Sequence, residues 1–426
     1  MADSSRTASS SAASSSVQAT LDPKIPSVAL SAFKGGVSKT TCTFNFGWQL
    51  SHVGNKRTLL VDLDAQSNLT QVFLSSLAQE ELVNHQAFRL SYPKVGNPNF
   101  ANLGEFLIKF MRDNSTRGTI DTYKHSNYPN LYLMAGGLKL IDYETKVAFT
   151  EQSKSDLAAM IPGILYHSIQ AAAKDCHAEI IFLDTSPSMG PLNMLAVMTS
   201  DYFVIPCQAD FFSLQALKSA KLRICPSPES EQDTWIQRMK VLQDSELHAD
   251  SKYPVPKQLP KFLGIVTSMF TTYSQKPAEN FRIYINEIKK FVDTDLVPEF
   301  RKHDMVVDRE SGHYELATVP NFNSAAPRAQ AQGVPIMALE KDRFYKNMST
   351  PIIKIVDDIY SNVFGINFPH CETAVKSPSP QKACKSAKAQ VSKVPRANRQ
   401  TGGGLGPSPR RSNTTSSSSS SSSGGM

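Results

Sequence analysis

A short glycine-containing loop near the start of the chain constrains the fold more than any other feature. It follows an apolar run, Ser27 to Phe33. Glycines let successive backbone N–H groups turn inward around phosphate groups, and a helix starting just after the loop adds its positive N-terminal end. The pattern therefore predicts a phosphate-binding loop between a buried strand and a helix. Its residues are Lys34, Gly35, Gly36, Val37, Ser38, Lys39, Thr40 and Thr41.

The loop departs from the ordinary Walker pattern G-x-x-x-x-G-K-[ST] at Ser38, where the pattern has its last glycine. Serine is tolerable there if its φ stays below zero, because only a left-handed backbone demands glycine. We therefore expect a negative φ at Ser38. Lys39 is expected to neutralise charge on the β- and γ-phosphates, and Thr40 to offer its hydroxyl to Mg²⁺.

The loop is similar to the signature K-G-G-V-x-K-T-[ST] of the ParA/MinD family of deviant-Walker ATPases at every fixed position. Residues 58–70 resemble the second-strand motif of that family, with Ala65 in place of proline, and residues 180–188 resemble its Walker B strand. Residues 204–214 resemble the strand that follows, and residues 319–335 match the last strand and helix more loosely. The resemblance covers residues 27 to 365 and implies a P-loop NTPase fold.

Apolar runs and helical periods alternate along the same stretch. Such β-α alternation predicts an α/β fold, with a mostly parallel twisted sheet and helices on both faces. Residues 84–130 are predicted to be an irregular insertion between the second and third strands. The predicted strands are 28–33, 58–63, 131–135, 180–184, 202–207, 263–269 and 316–319; the predicted helices include 41–52, 156–174, 192–199, 278–300 and 351–364.

Composition divides the chain into three parts. Residues 1–26 are a Ser/Ala-rich tail predicted to be disordered, residues 27–368 one ATPase domain, and residues 369–426 a disordered tail rich in Ser, Pro and Gly. The chain carries a formal net charge of +7, but nine of its basic side chains and a single acidic one follow His370. The domain itself is therefore close to neutral. Two interpretations of the basic tail remain open, a solvated linker and a flexible arm that holds DNA.

Neither a signal peptide nor an apolar run long enough to span a membrane is visible, so we expect a cytoplasmic protein. The six cysteines form no C-x-x-C pair and the nine histidines show no ligand spacing. These patterns favour reduced thiols. We predict ATP and Mg²⁺ as the cofactors, with the ion carried by the nucleotide.

Carboxylates at the ends of predicted strands complete the expected site. Asp62 and Asp64 are two residues apart and would point the same way on a strand, so one can hold the Mg²⁺ shell while the other orients water; alternatively, the pair only caps a turn. The resemblance gives the water-positioning role to Asp64. Asp184 ends a buried strand and suits a contact to Mg²⁺, partly through water. The resemblance also implies that Lys34 reaches across a dimer interface, and that adenine lies near Thr318, Val319, Pro320 and Asn321.

The resemblance implies a ParA-like partition ATPase. Such a protein dimerises on ATP, binds DNA non-specifically on the nucleoid, and hydrolyses ATP slowly until a ParB-like partner stimulates it. The alternative is a MinD-like positioning ATPase, which needs a C-terminal amphipathic helix that this sequence does not suggest. No membrane contact is therefore expected. Besides the tail, the candidates for DNA contact are Arg282, Lys289, Lys290, Arg301 and Arg328.

Overall fold

Parallel strands form the centre of the structure, a computed structural model. It describes residues 24–81, 101–112, 120–150, 156–226, 234–244, 252–270, 272–273, 276–339 and 345–369. All of them belong to the first of two units of the chain, Met1–Glu372. Both predicted tails lie outside the described residues, apart from the short pieces that flank the domain.

The described strands form one eight-stranded sheet and a separate two-stranded pair. The sheet has the order β10-β7-β6-β1-β5-β2-β4-β3, and all neighbours are parallel except β3, which runs antiparallel to β4. The predicted, mostly parallel sheet is therefore confirmed. The strands are β1 (Ser27–Leu30), β2 (Thr58–Asp62), β3 (Tyr123–Lys124), β4 (Leu131–Met134), β5 (Ile180–Asp184), β6 (Tyr202–Gln208), β7 (Lys261–Phe270), β8 (Thr272–Tyr273), β9 (Lys276–Pro277) and β10 (Glu315–Pro320).

Helices cover both faces of this sheet. One face is packed by α1, α2, α11 and α12 around buried side chains such as Phe46 and Ile355, and the other by the helices around Leu107, Tyr143 and Leu195. The described helices are α1 (Lys39–His52), α2 (Asn68–Glu81), α3 (Leu103–Arg112), α4 (Leu140–Thr150), α5 (Asp156–Asp175), α6 (Pro191–Met198), α7 (Phe211–Ile224), α8 (Trp235–Asp244), α9 (Glu279–Phe291), α10 (Val297–Lys302), α11 (Ala325–Gln332) and α12 (Tyr345–Phe364).

The central strands are apolar along their whole length because both of their faces are covered. Every residue of β1, β2 and β5 is buried, as expected for parallel strands between two helical layers. β1 lies between β5 and β6, with Leu30 opposite Asp184 on one side and Val204 on the other. It ends at Leu30, before the predicted Phe33, since the chain leaves the sheet there to form the glycine loop.

Two predicted segments differ from the structure. The segment predicted as irregular contains α3 and the short strand β3 among its described residues, so that prediction was wrong in part. The long helix predicted over residues 278–300 is interrupted by a π-turn, Val292–Leu296, in which Val297 N–H donates to the carbonyl of Val292. Pro298 has no N–H to continue the α-helical pattern, which favours an irregular turn at this point.

Within the described ranges, we find no helix that is both long enough and apolar enough to cross a membrane.

Candidate functional site

The glycine loop joins β1 to α1 at the carboxyl edge of the sheet. Gly36 has a φ of +77° and Ser38 a φ of +62°, so both occupy the left-handed region. The prediction of a negative φ at Ser38 was therefore wrong. The side chain of Ser38 makes no capping hydrogen bond to α1. The loop thus holds a serine in a conformation that usually favours glycine, because the chain must turn there to enter α1 at Lys39.

Asp184 accepts hydrogen bonds from three side chains in the first turns of α1. Its carboxylate is fully buried at the end of β5 and accepts a bond from Lys39 Nζ at 2.6 Å. Thr40 Oγ1 donates to the same carboxylate at 2.8 Å and Thr43 Oγ1 at 3.1 Å. The loop lysine and the predicted Mg²⁺ residues Thr40 and Asp184 are therefore brought together.

Asp62 lies opposite Asp184 in the register between β2 and β5. One of its oxygens accepts bonds from Thr70 N and Oγ1, and the other from Asp64 N. Burial, followed by the charge of Asp184, raises the pKa of Asp62 to about 7, although these hydrogen bonds oppose the shift. Asp62 is thus surrounded by donors at the start of α2 and does not line the cavity described below.

Asp64 does not share a strand with Asp62. β2 ends at Asp62, and Asp64 stands in the turn that follows, where its Oδ1 accepts a bond from Gln66 N at 2.9 Å. The expectation that the two carboxylates point the same way from one strand was therefore wrong. Asp64 instead lines the same cavity as the glycine loop, and Asp62 does not.

A cavity of about 870 Å³ extends from the glycine loop across the carboxyl edge of the sheet. Its size falls in the range of ordinary ligand sites. One end is lined by the eight residues 34–41, together with Asp64 and Pro187. The other end is lined by Phe44 and Asn45 of α1, by Asn321, and by the region from α11 to Ile336.

The second end includes one residue of the segment predicted to lie near adenine. Pro320 is the last residue of β10, and the lining begins one residue later, at Asn321. The chain turns into the cavity only after the strand has ended. The Gly333-Val334-Pro335 segment, which the resemblance matched loosely, does contribute Val334 and Pro335 to the wall.

Lys34 is held by its own chain. Its amino group forms an ion pair with Asp210 and donates to Gln208 Oε1 at 2.8 Å. Gln208 also donates to the carbonyl of Gly36 at 2.9 Å, so β6 and the glycine loop are linked twice. The ring of Phe212 is 69% exposed, and its centroid lies 5.9 Å from Lys34 Nζ. Gln208 and Asp210 lie in the strand motif of residues 204–214, but the motif alone predicts no role for either side chain.

The side chain of Asn193 helps to fix the loop after β5. Asn193 Nδ2 donates to the carbonyls of Ser186 and Ser188 at 2.6 and 2.8 Å, and Ser186 N donates to Asn193 Oδ1 at 3.1 Å. Pro187, between the two serines, lines the cavity. This loop therefore lies where it can contact a ligand at the phosphate end of the cavity.

The candidate DNA residues of the domain differ in their surroundings. Arg282 pairs with Glu279 at 2.6 Å, and Lys289 forms an ion pair with Glu315. Lys290 is exposed. These two ion pairs reduce the positive charge that α9 presents.

Comparison with known proteins identifies relatives at the level of sequence. A family model described as an AAA domain matches residues 25–224. The sporulation initiation inhibitor protein Soj of Bacillus subtilis is 27% identical over 190 residues, which is 45% of this chain and 61% of Soj. A virulence plasmid ParA family protein of Chlamydia psittaci is 28% identical over 194 residues, 46% of this chain and 61% of that protein. This chain thus spans less than two thirds of either relative.

The fold also resembles a solved structure over most of its length. The ATP complex of a variant of Cyanothece McdA matches 81% of this chain and 98% of its own, with a TM-score of 0.50 and 14% sequence identity. At that identity the likeness concerns the fold.

Proposed function

We propose that the chain, whose sequence resembles ParA-type P-loop ATPases, binds and hydrolyses ATP in order to partition or position a DNA-linked cargo. In this proposal ATP binding produces a homodimer, and the dimer binds duplex DNA without sequence preference. Turnover is slow until a ParB-like partner stimulates it. The proposed place of action is the nucleoid, in the cytoplasm.

One observation carries this proposal: Lys34, Lys39, Thr40 and Asp64 line a single cavity. Two lysines and the N-terminal end of α1 supply positive charge for phosphate groups. A carboxylate at the same end can orient an attacking water, which is the role we propose for Asp64. The remaining walls give room for the nucleoside.

The phosphate end also offers the oxygen donors that Mg²⁺ prefers. We propose that Thr40 binds the ion directly and that Asp184 holds one of its waters, since the two side chains already contact each other at 2.8 Å. Bound Mg²⁺ would supply charge neutralisation at the phosphates. Asp62 is proposed only to position the turn before α2, because its bonding partners, Thr70 and Asp64, belong to that turn and to the start of the helix. The partners of Asp184 include Lys39 and Thr40, which belong to the glycine loop itself.

Lys34 is proposed to act on the nucleotide of the second subunit. Its amino group would first have to leave Gln208 and Asp210. Dimer formation therefore competes with a contact inside each subunit. This competition weakens dimerisation by a small factor, and ATP offsets it by offering Lys34 a more strongly charged partner.

Calorimetry with ATP, combined with Lys39→Ala, tests the nucleotide site. We expect wild-type protein to bind ATP and Lys39→Ala to lose binding. A suitable control is Lys56→Ala, which removes a lysine paired with Glu179 just before β2. Because Lys39→Ala leaves Asp184 without its cation, its folding has to be verified by thermal melting. Equal ATP affinity in wild type and Lys39→Ala would refute the proposed site.

DNA binding with ATP, with ADP and without nucleotide tests the second part of the proposal. Strong binding only with ATP is expected, and ATP-dependent binding to lipid vesicles instead of DNA would contradict it.

A chain ending at Pro369 keeps Phe368, which packs on Tyr360, and removes the nine basic tail residues. If the tail holds DNA, this truncation should flatten the dependence of log K on log salt by about 0.9 per lost phosphate contact. An unchanged salt dependence would show that the DNA contacts are made by the domain and not by the tail.

A further inference from the structure

A buried histidine outside the cavity lining contacts the carbonyl of Gly333, next to the lining residue Val334. His125 directly follows β3, and only 1% of its surface is exposed. Its backbone N–H donates to the carbonyl of Leu131 at 2.9 Å, which fixes the residue against the edge of the sheet. His125 belongs to the segment that the sequence predicted to be irregular.

Both ring nitrogens of His125 have partners in the backbone. Nε2 lies 3.1 Å from the carbonyl oxygen of Gly333, and Nδ1 lies 3.1 Å from the backbone N–H of Asn127. A carbonyl can only accept, so Nε2 carries the hydrogen, and Nδ1 accepts the bond from Asn127. The neutral ring in this one tautomer satisfies both partners.

Gly333 is the residue at which α11 ends and the cavity wall turns. Its φ is +62°, and the N–H of Val334 donates back to Ala329 at 3.0 Å, which closes the helix end. Ala329, Val334 and Ile336 line the cavity on either side of this turn. A shift of the Gly333 carbonyl would therefore also shift these apolar residues, which form a wall suited to a flat base.

Two polar contacts among the described residues help to attach this wall to the rest of the domain. Met337 N donates to Asn45 Oδ1 at 2.9 Å, which connects the wall to α1. His125 makes the other contact, from the opposite edge of the sheet. The ring itself is held by Phe73, with centroids 4.9 Å apart, and by Tyr128, at 4.7 Å.

We propose that His125 is a positioning residue that sets the base-binding wall of the cavity through the carbonyl of Gly333. The inference rests on the proposed function, because it takes the ligand of the cavity to be a nucleotide. His125 does not line the end that holds Lys39 and Asp64. Its loss should therefore weaken binding of the nucleoside and leave binding of the phosphate chain intact.

Dissociation constants for ATP and for inorganic tripolyphosphate, measured by calorimetry, test the proposal. His125→Phe keeps an aromatic ring but leaves the Gly333 carbonyl without its donor, whereas His125→Gln keeps a donor near the place of Nε2. His125→Phe should weaken ATP binding about tenfold, because the base-binding wall loses the bond that sets its position, and leave tripolyphosphate binding unchanged. His125→Gln should recover most of the ATP affinity.

Tyr143→Phe is the matched control, because it also removes a buried bond to a backbone carbonyl, here that of Ile161 at 2.6 Å, in the helical layer on the opposite face of the sheet. It should change neither constant. The inference is overturned if His125→Phe binds ATP as tightly as wild type, or if it loses ATP and tripolyphosphate by the same factor. Wild-type protein that binds tripolyphosphate but shows no preference for ATP would instead contradict the proposed function.

A measurement on the wild-type chain keeps the inference testable if His125→Phe does not fold. The ¹⁵N NMR signals of the His125 ring should show the Nε2–H tautomer. They should shift on addition of ATP and stay in place on addition of tripolyphosphate. The inference is overturned if these signals do not shift on addition of ATP, or if they shift equally with ATP and with tripolyphosphate.

Discussion

Lys34 and Asp210 form an ion pair within one chain, so the lysine at the front edge of the glycine loop is held by the residue that caps α7. Asp210 Oδ1 accepts the cap bond from Ser213 N at 2.7 Å. Burial alone would raise the pKa of Asp210, but the bonds from Lys34 and Ser213 bring it below its ordinary value. The carboxylate is therefore fully charged at neutral pH and holds Lys34 on its own subunit.

Asp210→Asn should make ATP-dependent dimerisation easier. Asparagine caps helices as well as aspartate does, so α7 stays intact while the charge that holds Lys34 is lost. Both side chains of the pair are about a quarter to a third exposed, so the pair contributes no more than about 1 kcal/mol. We expect the dimer dissociation constant, measured by analytical ultracentrifugation with a non-hydrolysable ATP analogue, to fall about two- to fivefold. Weaker dimerisation in Asp210→Asn would contradict the competition.

Replacement of Asp64 should separate ATP binding from ATP hydrolysis. Asp64→Asn keeps an oxygen for the bond from Gln66 N but removes the charge that orients water. We expect ATP affinity to stay within about twofold, and single-turnover hydrolysis to fall about a hundredfold or more, in both Asp64→Asn and Asp64→Ala. Full turnover in Asp64→Asn would show that only the turn geometry matters.

Ser38→Gly should stabilise the protein. A left-handed backbone costs a non-glycine residue about 1–2 kcal/mol, and the greater freedom of glycine in the unfolded chain offsets about 0.5–1 kcal/mol of this gain. We therefore expect the free energy of unfolding in urea to rise by about 0.5 kcal/mol. Ser38→Ala keeps the strained backbone and serves as the control, since the serine side chain makes no cap bond. Equal stability of the two variants would mean that the loop relaxes without glycine.

The features that follow from local pattern were predictable from the sequence. Continuous apolar runs predicted the buried strands, and the glycine pair followed by Lys39 placed the cavity end correctly. Asp184 was recognisable because a charge that ends an apolar run needs a partner, and its partners are Lys39, Thr40 and Thr43.

The features that depend on distant segments were not predictable. The contact between Lys34 and Asp210 joins residues 176 positions apart, and His125 meets Gly333 across 208 positions. The left-handed φ at Ser38 and the different roles of Asp62 and Asp64 depend on where a strand ends, which periodicity locates only to within a few residues.

Acid should destabilise the wild-type protein partly through His125. Burial lowers the pKa of this ring from 6.5 to about 4, against the opposing effect of the Gly333 carbonyl. Between these two values the unfolded chain binds a proton that the folded chain does not, so stability falls as the pH falls through this window. The slope is about 1.4 kcal/mol per pH unit where it is steepest. His125→Gln should lack this component in urea denaturation series from pH 7 to 4. Parallel curves for the two proteins would show that the folded ring titrates normally.

Sedimentation of wild type and Lys34→Ala in the presence of a non-hydrolysable ATP analogue tests the central claim most directly. Lys34 is the residue that distinguishes this loop from an ordinary Walker motif, and in the proposed dimer its charge contacts the nucleotide of the other subunit. We predict a dimer for wild type and a monomer for Lys34→Ala, although both bind the analogue. Wild-type protein that stays monomeric with saturating analogue, or a Lys34→Ala variant that dimerises as readily as wild type, would contradict the account.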